Sequence, residues 1–262
     1  MVSGHLPVSI DFANWNGKYN LKVIILIEID LVRHGRTVFN EERRVQGMAD
    51  SELTANGRQQ ALALGHGLQL AGKTYGQIYA SDLQRAHDTA ELIAQGMASD
   101  LDVRTDTGLR EEDYDHYEGW PVDDFARTVL GVPNYKNAIA TGRYTLETIA
   151  DKTRWVSAQQ NAATTAESTA MVVARVDAAL RRIAARAQHT ASMRTLVVSH
   201  GTALLMWLAS AGKGVPGLES LQNCSVTTVY FDEGVFSIKT VNELTYLEQG
   251  TMVLRKTGKS SQ

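Results

Sequence analysis

The segment IEIDLVRHG (residues 27–35) is a strand-like run that ends at a His-Gly pair. Its apolar residues alternate with Glu28 and Asp30, which is the period of a β-strand. A central strand of a parallel sheet is usually apolar on both faces. The two acids therefore predict that the first half of this strand lies near an edge of the sheet or outside it.

A second segment, TLVVSHG (residues 195–201), is a β-branched run that also ends at a His-Gly pair. Strand-like and helix-like runs alternate along the rest of the chain, as in sheets built from right-handed crossovers. The predicted fold class is α/β: a three-layer, doubly wound, mainly parallel sheet with helices on both faces and an inserted helical lid. The other predicted elements are a helix capped by Thr54, strands over 77–81 and 102–105, helices over 83–97, 168–188 and 203–209, and antiparallel strands over 226–231 and 235–241.

The chain divides into three predicted parts. Residues 1–26 show no sustained periodicity and are expected to form an N-terminal extension. Residues 27–250 form the main domain, and residues 251–262 a C-terminal tail. Within the domain, residues from about 120 to 166 are polar, rich in Ala and Thr, and interrupted by glycine and proline. Such a composition predicts short helices in a lid rather than more sheet.

The composition is that of an ordinary globular protein, with 44% hydrophobic residues and a formal net charge of -3. The mild acidity argues against a nucleic-acid partner. The most apolar stretch, residues 23–32, is too short to span a bilayer and lacks the pattern of a signal peptide. Cys224 is the single cysteine, so no intrachain disulfide can form, and we expect a cytoplasmic protein with no membrane partner.

The two His-Gly pairs predict one site, because ligands of open parallel sheets bind at the carboxyl ends of the strands. Arg33 precedes His34, and Arg85 follows the second short strand at the start of a helix. An arginine fork, a nucleophilic imidazole and a helix N-terminus together suit a phosphoryl group. Taken singly, each His-Gly pair reads equally well as a turn with a half-buried histidine, and Arg85 as an exposed helix residue.

Five segments in order resemble the histidine phosphatase superfamily, whose fold is that of the phosphoglycerate mutases. They are LVRHGRTVFN (31–40), VQGMADSELTANGRQQA (45–61), ASDLQRAHDTA (80–90), LREEDYDHYEG (109–119) and VVSHG (197–201). The resemblance extends over nearly all of residues 27–247. It implies a metal-independent phosphohydrolase of the phosphatase branch, with no cofactor and a small phosphorylated metabolite as its partner; a homodimer is left open.

The resemblance also implies roles for individual residues. His34 matches the nucleophile that becomes phosphorylated, while Arg33, Arg85 and His200 match the clamp on the phosphoryl oxygens. Glu111 matches the general acid and base. Supplementary phosphate-binding positions are matched by Asn40, Gln46, Gly201 and Thr202.

Several alternatives remain at this point. The acid segment is dense in carboxylates, so Glu112 or Asp113 could replace Glu111 as the working acid. No spacing of His and acidic residues suggests a metallohydrolase. A phosphoglycerate mutase is the second function, although mutases of the family carry a longer acid segment. A non-catalytic phospholigand-binding relative is the third, and it is disfavoured because every core residue is present.

Two further features of the sequence carry weaker predictions. Cys224 is expected to be a buried small residue at a strand start rather than a nucleophile. The aromatic residues of the predicted lid either line the pocket or form the lid's own core; they are Phe125, Tyr135, Tyr144 and Trp155.

Overall fold

A computed structural model describes residues 26–190, 192–211, 218 and 220–259, so nearly all of the predicted extension at residues 1–26 lies outside it. Its strands form one six-stranded sheet in the order β3-β2-β4-β1-β5-β6. The first four in this order are parallel, whereas β5 and β6 are antiparallel. The strands are β1 (Ile27–Arg33), β2 (Gln77–Ala80), β3 (Val103–Thr105), β4 (Arg194–Ser199), β5 (Val226–Asp232) and β6 (Val235–Glu243).

Helices cover both faces of the sheet, which confirms the predicted three-layer α/β class. The α-helices are α1 (Val38–Glu42), α2 (Ala55–Leu70), α3 (Gln84–Gly96), α4 (Val122–Phe125), α5 (Tyr135–Ala140), α6 (Leu146–Gln160), α7 (Thr169–Ala187), α8 (Gly201–Ala211) and α9 (Thr245–Lys259). Apolar side chains of α7 and α8 pack with one face of β1 and β4. Those of α2, α3 and α9 pack against the other face. No helix in the described ranges is long and apolar enough to cross a bilayer.

Residues 121 to 160 form the helical segment that the sequence predicts as a lid. It contains α4, the π-helical turn Ala126–Leu130, α5 and α6. Its buried residues Phe125, Val129 and Ile149 belong to a third hydrophobic cluster, separate from the two that flank the sheet. We refer to residues 121–160 as the lid below. The same cluster includes Val45, Tyr114 and Tyr117, so the lid packs on the segments that precede it.

The C-terminal region differs from the predicted tail. The expected boundary at residue 250 falls inside α9, and residues 251 to 259 continue that helix. Its amphipathic face packs along α2, where Tyr246 and Leu247 join the cluster beneath the sheet.

The position of β1 corrects the expectation that its acidic half lies near an edge. β1 pairs with β4 on one side and β5 on the other, so the strand is central. Asp30 is fully buried there. Its carboxylate accepts hydrogen bonds from Lys73 Nζ (2.9 Å), Tyr75 Oη (2.8 Å) and Thr228 Oγ1 (2.6 Å). A central strand tolerates the acid because three donors replace water around its charge.

Removing this carboxylate is expected to destabilise the fold strongly. Asp30→Ala leaves the buried hydroxyls of Tyr75 and Thr228 without their acceptor and the half-buried Lys73 ammonium with Glu28 alone, so the free energy of unfolding falls by about 3–5 kcal/mol. Glu41→Ala breaks a surface ion pair with Arg36 instead, and costs about 1 kcal/mol or less. Urea denaturation of both variants measures the difference, and equal small losses would contradict the central role of Asp30.

Candidate active site

Parallel pairing of β1 with β4 brings the two His-Gly pairs together. Arg33 is in register with Ser199, so His34 and His200 each follow the same level of the sheet. The His34 amide donates to the Ser199 carbonyl at 3.0 Å, and the two imidazole centroids are 5.2 Å apart. The register of the two strands therefore brings both histidines to one place, as the two His-Gly pairs predict.

His34 is held with one ring nitrogen available for attack. Nδ1 lies 2.8 Å from the Gly35 carbonyl oxygen, which can only accept, so Nδ1 carries the hydrogen. This tautomer leaves the lone pair on Nε2. Burial, reinforced by the positive charges of Arg85 and Arg33, lowers the pKa of His34 well below 6.5. The imidazole is thus neutral, as a nucleophile must be.

The guanidinium of Arg33 lies beside His34 and keeps unused donors. Nη1 donates to the Leu221 carbonyl, while the buried Nε has no partner. Gly201 leaves room for it, because a Cβ at that position would come within 3.2 Å of Nε. A larger residue at the start of α8 would press on the Arg33 guanidinium and require it to shift by a few tenths of an ångström.

Arg85, at the start of α3, is anchored by the loop of residues 47–50. Nη1 donates to the Ala49 carbonyl (3.1 Å) and to Asp50 Oδ1 (2.9 Å), and Nη2 donates to the Gly47 carbonyl (2.7 Å). The buried Nε has no partner. Because the loop holds three of the five N–H groups, Nε and one hydrogen of Nη2 remain, and these form a planar fork suited to an oxyanion.

His200 is fully buried, and neither of its ring nitrogens has a hydrogen-bond partner. Burial and the nearby charge of Arg85 lower its pKa well below 6.5. His200 and Arg85 do not line the open part of the cavity in front of His34, whereas Arg33 does. The predicted clamp thus has one arginine at the cavity surface and two members buried beside it.

Glu111 lines the cavity, whereas Glu112 and Asp113 are not among the described residues that do. Its carboxylate accepts from the amides of Ala203 (2.7 Å) and Thr202 (3.0 Å) at the N-terminus of α8. The first turn of a helix is a favourable place for a carboxylate. Glu112 points elsewhere into the protein interior and is fully buried.

The loop that carries Glu111 is held by an ion pair that the sequence reasoning missed. Arg175 and Glu167 form two hydrogen bonds of 2.7 Å each, and Arg175 Nη2 also donates to the Glu111 carbonyl at 2.7 Å. Glu167 in turn accepts from the amide of Asp113 at 3.1 Å. These residues lie more than 50 positions beyond the acid segment, so only folding reveals the contact.

Asn40 and Gln46 line the cavity and are joined to each other, with Asn40 Nδ2 donating to Gln46 Oε1 at 3.3 Å. Asn223, which the sequence did not predict as a site residue, contacts the same group of side chains. Its Nδ2 donates to the His34 carbonyl (2.9 Å) and lies 3.4 Å from Asn40 Oδ1. Nothing in the sequence around Asn223 distinguished it, because only the return of the chain into β5 brings it to His34. Its neighbour Cys224 is buried at that strand start, as predicted.

Glu118 organises the loop that anchors Arg85. Its carboxylate accepts from the amides of Gly47 (2.9 Å), Met48 (2.8 Å), Ala49 (3.0 Å) and Tyr114 (3.1 Å). A Cβ on Gly47 would come within 2.4 Å of Glu118 Oε1, so this loop needs glycine to approach the carboxylate. One side chain thereby ties the loop under Arg85 to the acid segment.

The cavity in front of His34 has a volume of about 270 Å³, and Gly201 and Thr202 also line it. Of the four aromatic residues predicted in the lid, Phe125 and Tyr135 line this cavity. Tyr144 donates to the Leu130 carbonyl at 2.7 Å, and Trp155 is 62% exposed. Among the residues that the structure describes, no group of three or more His, Cys, Asp or Glu side chains is placed to hold a metal ion.

Comparison with known proteins identifies the family of the chain. Residues 29–244 match the family model of the histidine phosphatase superfamily, branch 1. A probable phosphoglycerate mutase of Salmonella arizonae is 34% identical over 212 residues, covering 79% of this chain and 86% of the relative. The phosphoglycerate mutase structure of Bacillus anthracis superposes with a TM-score of 0.74 at 25% identity, over 86% of this chain and 96% of that one.

A phosphatase structure is similar as well. The mycobacterial glucosyl-3-phosphoglycerate phosphatase in complex with VO3 superposes with a TM-score of 0.63 at 25% identity, over 83% of this chain and 99% of that one. Structures with names of both activities thus share the fold of this chain. The chain belongs to the histidine phosphatase superfamily.

Proposed function

We propose that this chain is a metal-independent phosphomonoester hydrolase that works through a phosphohistidine on His34. The observation that carries the proposal is a set of buried nitrogen atoms without partners beside His34: Arg33 Nε, Arg85 Nε, and both ring nitrogens of His200. An unpaired buried donor costs about 1–3 kcal/mol. A neutral His200 supplies one N–H, so Arg33 Nε, Arg85 Nε and one nitrogen of His200 are three unpaired donors around the neutral His34, and they fit a site that is completed by a phosphoryl group.

In the first step, His34 Nε2 attacks phosphorus in line and the P–O bond to the alcohol breaks. Arg33, Arg85 and His200 stabilise the charge on the equatorial oxygens. Glu111 gives its proton to the departing alkoxide. In the second step, the Glu111 carboxylate takes a proton from water, whose oxygen displaces His34 and releases inorganic phosphate.

Hydrolysis is proposed over mutase activity because the acid segment is short and the lid covers a small cavity. The proposed partner is a small phosphorylated metabolite, and the single cysteine favours a cytoplasmic setting. A phosphoglycerate mutase remains the second candidate, since the relative that is 34% identical carries that name. Conversion of 3-phosphoglycerate to 2-phosphoglycerate with a bisphosphate primer, at a rate above hydrolysis, would establish the mutase instead.

Replacing the nucleophile tests the central step. His34→Ala is expected to lower turnover of p-nitrophenyl phosphate by about 1,000-fold or more and to abolish the acid-labile phosphoenzyme. His189→Ala, at an exposed histidine beyond α7, is the matched control with wild-type turnover. EDTA is expected to leave the wild-type rate unchanged, and an EDTA-sensitive rate would refute the metal-independent scheme.

The identity of the acid is tested by a pair of amide substitutions. Glu111→Gln is expected to lower hydrolysis of an alkyl phosphate, whose leaving group needs a proton, by about 100-fold or more. Glu112→Gln is expected to keep the activity. If Glu112→Gln proved to be the inactive variant, the assignment of Glu111 would be wrong.

The same Glu112→Gln variant has an expected pH signature in stability. Burial and the neighbouring Glu111 raise the pKa of Glu112 well above 4.5. The folded chain therefore keeps a proton that the unfolded chain releases, and wild-type stability falls as pH rises above 4.5 towards the folded pKa. Thermal unfolding should show Glu112→Gln to be more stable than wild type near pH 7, with the gain disappearing near pH 4.

Glu118 is expected to act on phosphate binding through Arg85. Glu118→Gln loses acceptors for the amides of the loop 47–50, so vanadate inhibition should weaken by about tenfold, with KM rising more than kcat falls. Arg85→Ala should weaken it further, and the double variant should match Arg85→Ala alone. Additive losses would indicate that Glu118 is merely structural.

A further inference from the structure

The cavity in front of His34 has two chemically different parts. Polar groups that suit a phosphoryl group line one part: Arg33, His34, Asn40, Gln46, Gly201 and Thr202. A phosphoryl group bonded to His34 Nε2 must occupy that part. The alcohol portion of the ester must then lie against the remaining walls of the same cavity.

Those remaining walls are mostly apolar. The lid contributes Val122, Phe125 and Ile139 together with Leu146, and the body contributes Leu205 from α8 and Leu221 from the segment before β5. A hydroxyl of a sugar placed against these side chains would lose its water without gaining a hydrogen bond. An apolar group in the same place would be stabilised by burial.

Neither cationic side chain in the described lining of this cavity is available to a second anion. Arg33 and Arg44 are the cationic side chains among its described lining residues. Arg33 belongs to the phosphoryl part. Arg44 Nε pairs with Glu42 at 2.6 Å, and its Nη1 donates to the Gly119 carbonyl at 2.8 Å. A carboxylate on the leaving group, as in a phosphoglycerate, would compete with Glu42 for a guanidinium that is 40% exposed to water.

Two tyrosines lie in the cavity wall and add no positive charge to it. Tyr114 and Tyr135 line the cavity. Burial raises the pKa of both hydroxyls, so both stay neutral. Neither phenol supplies a positive charge that would hold a second anion on the leaving group.

We propose that the preferred substrates are phosphate monoesters of small apolar alcohols, aromatic or aliphatic, whose uncharged leaving group is bound by the lid and by Leu205 and Leu221. The proposal rests on the proposed phosphatase function. The cavity volume of about 270 Å³, slightly below the usual range of about 300–1,000 Å³ for ligand pockets, keeps the leaving group small.

Binding of phosphonates tests the proposal without depending on turnover. Methylphosphonate reports on the phosphoryl part alone, while benzylphosphonate adds an apolar ring and 3-phosphonopropionate adds a carboxylate. Competition with a bound reporter such as vanadate gives the three dissociation constants. We expect benzylphosphonate to bind about 10- to 100-fold more tightly than 3-phosphonopropionate, from the apolar area that it buries. Equal or reversed affinities would overturn the proposal.

Variants of the lid assign the preference to the cavity wall. Ile139→Asn should reduce the ratio of benzylphosphonate to methylphosphonate affinity several-fold, and Ile139→Leu should restore it. Val235→Asn, at a residue that is 67% exposed on the β5–β6 hairpin, should leave the ratio unchanged. An unaltered ratio in Ile139→Asn would place the ring outside the lid and contradict the proposed subsite.

Turnover separates failure of this inference from failure of the proposed function. Benzyl phosphate and glycerol 3-phosphate have alcohols of similar acidity, so their kcat/KM values compare binding of the leaving group rather than its chemistry. Hydrolysis of both with a preference for glycerol 3-phosphate would overturn the apolar subsite and keep the phosphatase. Tight benzylphosphonate binding with no hydrolysis of any ester would keep the subsite and overturn the phosphatase.

Discussion

The register of β1 against β4 is the constraint on which the rest of the site depends. Arg33 pairs with Ser199, and each strand then releases a histidine and a glycine at the same level. Parallel strands have evenly spaced ladders, so a slip of one residue would turn the side chains to the opposite face. The buried Asp30 network helps to hold this register, because Asp30 on β1 is tied to Thr228 on β5 and to Lys73 and Tyr75 beyond α2.

Two carboxylates and an arginine hold the loops that complete the site. Glu118 gathers the amides of the loop 47–50, and that loop orients Arg85. Arg175 with Glu167 holds the loop of Glu111 in the same manner from the other side. A bound anion attracts the charged side chains of nearby loops. Several hydrogen bonds from one loop to a single partner keep that loop and its side chains in position.

The cavity separates the chemistry from the selection of the substrate. Strand ends and helix N-termini supply the groups proposed to surround phosphorus, and the architecture of the α/β sheet sets these positions. The lid supplies apolar walls of the same cavity, from helices whose hydrophobic cluster is separate from the two that flank the sheet. A lid can therefore change its lining residues while the phosphoryl part stays the same, which is consistent with relatives of different named activities sharing this fold.

The sequence by itself determined the fold class, the strand ends that carry His34 and His200, and the family, because those features depend on local periodicity and on contiguous motifs. It was wrong about the place of β1, since an acid in a central strand is explained only by Lys73, Tyr75 and Thr228, which lie far away in the chain. Asn223, the Glu118 hub and the Arg175–Glu167 pair were equally invisible in the order of residues. Tertiary structure alone decided these contacts, because hydrogen bonds and burial join side chains that only the folded chain brings within about 3 Å of each other.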